Sequence, residues 1–328
     1  MGQNCAACLK GVNFTAKNIQ DIDLSKIQTA IGLQIIKEDS LENKADTPIR
    51  LDAPKSKIRI FKGNPNIKVS PKALITEQSL SPFFCEALPG LIYIFEDDSL
   101  FQGQVNLNIE KHGKGIEILN GNKYTGYFNN NKKQGKGRLL FSEGGYYEGE
   151  FKDNAFEGSG YLKTSEGLEY TGQFKLNKQH GSGKENWLDG ATFEGAFHNG
   201  LKTGYGKFTW ADRSVYEGFF LHNNFHGQGT YHWSNGKRYS GSWENNKMQG
   251  FGTFTWPSGR KYEGDYYNDL KHGQGKLTWP DGRIYEGGWK DGFQDGVGCY
   301  TYLSKKSNKI VKKKGNWEKG VRLEWIKE

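Results

Sequence analysis

Nine times in this 328-residue chain an aromatic residue is followed two places later by glycine, each copy 23 residues after the last. The aromatics are Phe101, Tyr124, Tyr147, Tyr170, Phe193, Tyr216, Tyr239, Tyr262 and Tyr285; the glycines run from Gly103 to Gly287. A Gly-x-Gly pair keeps the same period from Gly135/Gly137 to Gly296/Gly298, with Gly113/Gly115 displaced by one. A third glycine recurs three residues before each aromatic from Tyr124 onward, and only Arg213 breaks that row. Self-similarity at a fixed period of about 20 to 50 residues is the mark of a repeat architecture.

Within one copy, residues 262–284, alternation of period two reads as two short strands. Tyr262, Gly264 and Tyr266 share one face, opposite Glu263 and Asp265; in the second strand Gly275, Leu277 and Trp279 oppose Lys276 and Thr278. Asn268-Asp269 and Pro280-Asp281-Gly282 are turn signals. Each repeat is thus a hairpin with an aromatic and a polar face, its glycines leaving room for rings to lie across the backbone. A lone hairpin is marginal in water, so the hairpins must stack. The expected fold is all-β, an elongated solenoid of tandem 23-residue β-hairpins.

Composition places the boundary. The chain has 45 Gly, 20 Phe, 17 Tyr and 9 Trp. Residues 1–90 hold only 5 of the Gly and 4 of the Phe, with no Tyr or Trp. We read 1–90 as a mostly irregular, flexible N-terminal arm and 91–328 as an array of about nine repeats plus a partial tenth at Gly315-Asn316-Trp317. In the arm, Leu24, Ile27, Ile31 and Ile35 recur at helical spacing and predict a short amphipathic helix. Eight Pro exclude collagen. The longest apolar stretch, about Leu88 to Phe95, falls short of the ~20 residues of a membrane-spanning helix. Four cysteines form no disulfide framework and no secretory segment follows Met1, which points to a reducing, cytoplasmic setting.

The pattern resembles the MORN (membrane occupation and recognition nexus) repeat, with YEGDY at 262, HGQG at 272 and DG at 281 as the clearest copy. The resemblance covers about two-thirds of the chain. It implies a twisted β-hairpin array that serves as an interaction scaffold, often at membranes or on the cytoskeleton.

The second strands carry a row of rings: Phe141, Trp187, Trp210, Trp233, Trp256, Trp279 and Tyr302, interrupted by Thr164. The row is either core or the lining of an open groove for a partner peptide or helix, since a single sheet has no second layer. No regular basic track accompanies the rings, so nucleic acid is not an expected partner. His112, His180, His226 and His272 sit before Gly-x-Gly in register, a spacing that keeps them from converging on a metal. Glu148, Glu194, Glu217, Glu263 and Glu286 read as a solvated face with cross-strand pairing. We expect no catalytic residues, no metal site and no cofactor.

Gly2, Cys5 and Cys8 are candidates for N-myristoylation and S-palmitoylation, although Ala6 departs from the myristoylation pattern. Two basic stretches, Lys55 to Lys72 and Lys305 to Lys314, read as solvated loops that could meet an anionic leaflet, the second through Lys305, Lys306, Lys309, Lys312, Lys313 and Lys314. The reading is a non-enzymatic scaffold or adaptor that binds protein partners and is tethered to a membrane by acyl chains and basic segments. The alternative is a cytoskeletal, axonemal or ciliary assembly protein with no membrane anchor. Exposed end strands would allow a homodimer by edge pairing.

Overall fold

The computed structural model describes residues 59–62 and 91–326. These divide into two compact units, one ending at Lys178 and the other beginning at Gln179. The first holds β1 (Arg59–Lys62), β2 (Leu91–Ile94), β3 (Leu100–Val105), β4 (Lys111–Leu119), β5 (Asn122–Asn129), β6 (Lys132–Leu140), β7 (Gly145–Lys152), β8 (Ala155–Thr164) and β9 (Glu169–Lys175). The second holds all but the first residue of β10 (Lys178–Asn186), then β11 (Thr192–His198), β12 (Leu201–Thr209), β13 (Val215–Leu221), β14 (Asn224–His232), β15 (Arg238–Glu244), β16 (Lys247–Thr255) and β17 (Lys261–Tyr267). It ends with β18 (Leu270–Thr278), β19 (Ile284–Lys290), β20 (Phe293–Ser304), β21 (Lys309–Glu318) and β22 (Val321–Trp325). Within each unit successive strands pair antiparallel, as in β17 with β18 and β18 with β19. The expected all-β array of tandem hairpins is what the chain forms.

The nine periodic aromatics are the centre of the core, each at most 1% exposed. Tyr124, Tyr147, Phe193, Tyr216, Tyr239, Tyr262 and Tyr285 each lie edge-to-face on the aromatic four residues later and on the equivalent ring of the following hairpin. Tyr216 meets Phe220 at 5.1 Å and Trp243 at 5.5 Å, and Tyr239 meets Trp243 at 5.0 Å and Tyr266 at 5.2 Å. Such pairs contribute about 0.5–1.5 kcal/mol each beyond the area they bury. The phenol oxygen donates to a carbonyl three residues on, from Tyr124 to Tyr127 O (2.9 Å) through Tyr285 to Gly288 O (3.0 Å). Where the anchor is Phe101 or Phe193 that bond has no donor.

The glycines do what the spacing predicts. A Cβ on Gly241 would stand 2.5 Å from the Gly252 Cα and 2.6 Å from the Tyr239 oxygen, so the ring covers a pair of bare backbones. The first glycine of each Gly-x-Gly has a second task. Gly227 takes φ +65°, and the β13–β14 register shifts between Gly218 and Phe220. This bulge sets Phe225 opposite Phe220, where it stacks on Tyr216 at 3.7 Å. Simple alternation along the second strand does not anticipate it.

Two-residue turns with positive φ at both positions close the hairpins, as at Asn245-Asn246 and Asn268-Asp269. The second residue also staples the turn to the hairpin before it. Asn246 accepts from Phe225 N–H at 2.7 Å through Oδ1, and its own N–H donates to Phe225 O at 3.1 Å. At the opposite ends, Gly282 at φ +84° donates to Trp279 O, so the Pro-Asp-Gly signal marks a turn as expected. Arg213, which breaks the glycine row, holds the same left-handed conformation at φ +68°.

Three expectations are corrected. Part of the Lys55–Lys72 stretch is strand, not loop: β1 pairs with β2, Arg59 opposite Ile94. The insertion at Lys305–Lys314 lengthens a hairpin, with Ser304 opposite Lys309 and Thr301 opposite Lys312, so only 305–308 form a turn. The face opposite the core is not uniformly polar, because Tyr205, Phe219 and Phe251 stand exposed on it. The predicted arm helix and the acylation residues Gly2, Cys5 and Cys8 lie outside the described residues.

A tryptophan ladder as the candidate functional site

The five tryptophans of the predicted groove stand just past the ends of their strands rather than within them. Each opens the four-residue turn that ends on the third glycine, or on Arg213 after Trp210: Trp233 N–H donates to Lys237 O and Gly236 N–H donates to Trp233 O, both at 2.9 Å. The turn fixes the backbone of each Trp and aims its side chain toward the neighbouring hairpin. All five are half-buried, neither sealed into the core nor standing free.

The residue two places before three of them supplies the next rung. Trp187 packs on Phe208 at 5.2 Å, Phe208 on Trp210 at 4.5 Å, Trp210 on Tyr231 at 5.0 Å and Tyr231 on Trp233 at 4.4 Å. Trp233 packs on Phe254 at 5.2 Å and Phe254 on Trp256 at 4.4 Å, all tilted by 33–40°. Leu277 takes the rung position next, and the ladder stops. Trp279 instead meets Tyr300 at 6.0 Å. Phe208, Tyr231 and Phe254 were not in the predicted row, although their i, i+2 spacing to Trp210, Trp233 and Trp256 is visible in the sequence.

Cations lie on the rings. Lys202 stands 5.0 Å from the Trp187 centroid, Arg260 4.0 Å and Lys271 5.7 Å from Trp256, and Arg283 5.5 Å from Trp279. Arg283 is also held by Asp281 at 2.7 Å. A strip of half-covered indoles with cations at its edge offers apolar area and a positive field together.

The lysines sit at a position that sequence reading passed over, two residues before Gly-x-Gly. It holds Lys111, Lys133, Phe156, Gln179, Lys202, Phe225, Met248, Lys271 and Gln294 in turn. Phe156 and Phe225 stack on their anchor tyrosines at 3.8 and 3.7 Å. Lys111 and Lys133 both pair with the buried Glu117, and Lys202 pairs with the buried Glu185 at 2.6 Å while Gln179 donates to the same carboxylate at 2.7 Å.

The remaining candidates fall elsewhere. Lys305, Lys306, Lys309, Lys312, Lys313 and Lys314 are all exposed on the long β20–β21 hairpin. Leu303 and Ile310 face one another across it, 58% and 77% exposed. His180, His226 and His272 keep the repeat spacing, each with a buried Nδ1 that has no partner, and no group of three potential metal ligands exists among the described residues. Of the predicted solvated glutamates, Glu148 pairs across strands with Arg138, Glu263 pairs with Lys261 at 2.7 Å and Glu217 accepts from the Tyr205 hydroxyl at 3.0 Å. No helix among the described residues is long and apolar enough to cross a membrane.

Among curated proteins compared by sequence, none matches. Solved structures with related strand arrangements include the SAS-4 (dCPAP) TCP domain of Drosophila melanogaster in complex with a proline-rich motif of Ana2 (dSTIL). That match has 13% identity over 51% of this chain and 90% of that one, with a TM-score of 0.31. The TCP10 domain of Danio rerio CPAP matches at 10% identity over 72% of this chain and 99% of that one, with a TM-score of 0.26. Neither likeness bears on what this chain does. The sequence profile of the MORN repeat matches eight consecutive times, at residues 124–146, 147–168, 170–192, 193–215, 216–238, 239–259, 262–282 and 285–304. With more than half of its residues in matched repeats, each an aromatic-anchored hairpin in the structure, the chain belongs to the MORN repeat family.

Proposed function

We propose that this chain is a non-enzymatic scaffold that captures an extended or helical protein segment along the Trp187–Trp256 ladder. The observation that carries this is the half-burial of every ladder tryptophan. A core residue would be sealed, as the anchors are, whereas these rings keep apolar area available to a partner. Selection of peptides from a random displayed library, on the natural chain and on Trp233→Ala, tests it. Peptides that bind the natural chain and lose at least tenfold on the variant support the ladder; equal binding to a folded variant rejects it.

The proposed membrane tether has a separate basis. Six exposed lysines surround the exposed Leu303–Ile310 pair on the β20–β21 hairpin, an arrangement suited to an anionic interface, where each charge contributes about 1 kcal/mol. Acylation at Gly2, Cys5 and Cys8 would add the second signal. Flotation with anionic vesicles should be lost when the six lysines are neutralised, and labelling with a myristate analogue should vanish in Gly2→Ala. Unchanged flotation and absent labelling of the natural chain would leave the unanchored cytoskeletal reading.

A further inference from the structure

Lysine occupies the position two residues before Gly-x-Gly four times, and three of the four have an internal carboxylate. The acid comes from one of two places. Glu117 lies six residues further along the same strand as Lys111; for Lys133 and Lys202 the acid, Glu117 or Glu185, lies on the preceding long strand. The corresponding places around Lys271 are Leu277 on its own strand and Phe254 on the preceding one. Both are apolar, and none of the described residues supplies Lys271 with a carboxylate.

The Lys271 ammonium instead stands among rings, 5.1 Å from Trp289, 5.5 Å from Tyr262 and 5.7 Å from Trp256. The Arg260 guanidinium rests on the same Trp256, at 4.0 Å. Burial, and then the charge of Arg260, hold the Lys271 amine below the ordinary lysine range. Two cations thus share the last ring of the ladder with no internal anion, an arrangement that a carboxylate from outside would relieve. Asp281 is held by Arg283, and Asp265 accepts from the Gln274 N–H at 3.1 Å.

We propose that Lys271 and Arg260 form the receptor for an Asp or Glu side chain of a docked protein segment, which fixes the register of that segment on the tryptophan ladder. The inference rests on the ladder being the docking face. The partner it selects is a peptide with an acidic residue at one end of an apolar stretch, the acid at Trp256 and the apolar part running toward Trp210. Free anions lack the apolar contacts that the adjoining indoles offer.

The test uses the displayed peptide library on the full chain and on four variants. Leu277→Glu supplies an internal acid where Glu117 stands for Lys111, Leu277→Gln is its uncharged control, Lys271→Met keeps the stem without the charge, and Trp233→Ala removes a rung. Peptides selected on the natural chain should carry Asp or Glu at a fixed position and lose at least tenfold when it becomes Asn or Gln. That tenfold should disappear on Leu277→Glu and on Lys271→Met and persist on Leu277→Gln. Selected peptides without a fixed acid, or an acid preference unchanged on Lys271→Met, overturn the receptor. If the acid preference is absent while Trp233→Ala still abolishes binding, only this inference fails. If no peptide is selected, or binding ignores Trp233, the ladder reading fails with it.

Discussion

Tyr262 rests on Gly275 so closely that a Cβ carbon there would stand 2.3 Å from the phenol oxygen. Nothing smaller than a full displacement of the anchor ring would accommodate it. Gly275→Ala should therefore cost about 1–3 kcal/mol or more, the range of overpacked cores. Gln274→Ala, the exposed neighbour, should stay within about 0.5 kcal/mol. Urea unfolding of the two variants checks the contrast.

The hydroxyls of six anchor tyrosines give the fold a pH limit. Burial raises Tyr124, Tyr147, Tyr216, Tyr239 and Tyr262 well above the ordinary 10.0, and Tyr285 to about 12. A raised native value means that folding favours the neutral phenol. This stability is complete below pH 10, the unfolded value, and is lost as pH rises toward the native values. Thermal midpoints should hold up to about pH 10 and then fall steeply, with phenolate absorbance from the anchors appearing together with unfolding. Anchor phenolate near pH 10 in a still-folded chain, read as absorbance that a Tyr239→Phe variant lacks, would contradict the packing described.

The buried ion pairs are not the only solution the repeat allows. Glu185→Gln leaves Lys202 buried without its charge partner and should cost about 3–5 kcal/mol. The double change Glu185→Leu with Lys202→Phe installs the residues that stand at the same two places around Phe156, with Leu139 on the preceding long strand, and should restore most of that loss. Denaturation midpoints of the single and double variants decide it.

Much of this molecule can be read from its spacing, because the repeat multiplies each signal. One aromatic-x-Gly means little; nine in register fix the hairpin, the anchor and the turn. Gly241 and Gly252 fall under Tyr239 as period-two alternation requires. The reading fails where backbone leaves that alternation. The bulge at Gly227 moves Phe225 onto Tyr216, and with it the whole row that includes Lys271 enters the core side unannounced. The tryptophans were placed on the strand face for the same reason, although Trp233 and its equivalents begin the turns. What covers a half-buried indole is a property of three dimensions, and no periodicity states it.

The division of the rings into sealed anchors and an available ladder is tested most directly by comparing Tyr239→Ala with Trp233→Ala in the full chain. Unfolding midpoints and affinity for a library-selected peptide would be measured on both. Tyr239→Ala should lose about 3–5 kcal/mol of stability. Trp233→Ala should lose less than half as much and yet bind the peptide at least tenfold more weakly. A Trp233→Ala variant as unstable as Tyr239→Ala, or one that binds the peptide as the natural chain does, would contradict the account.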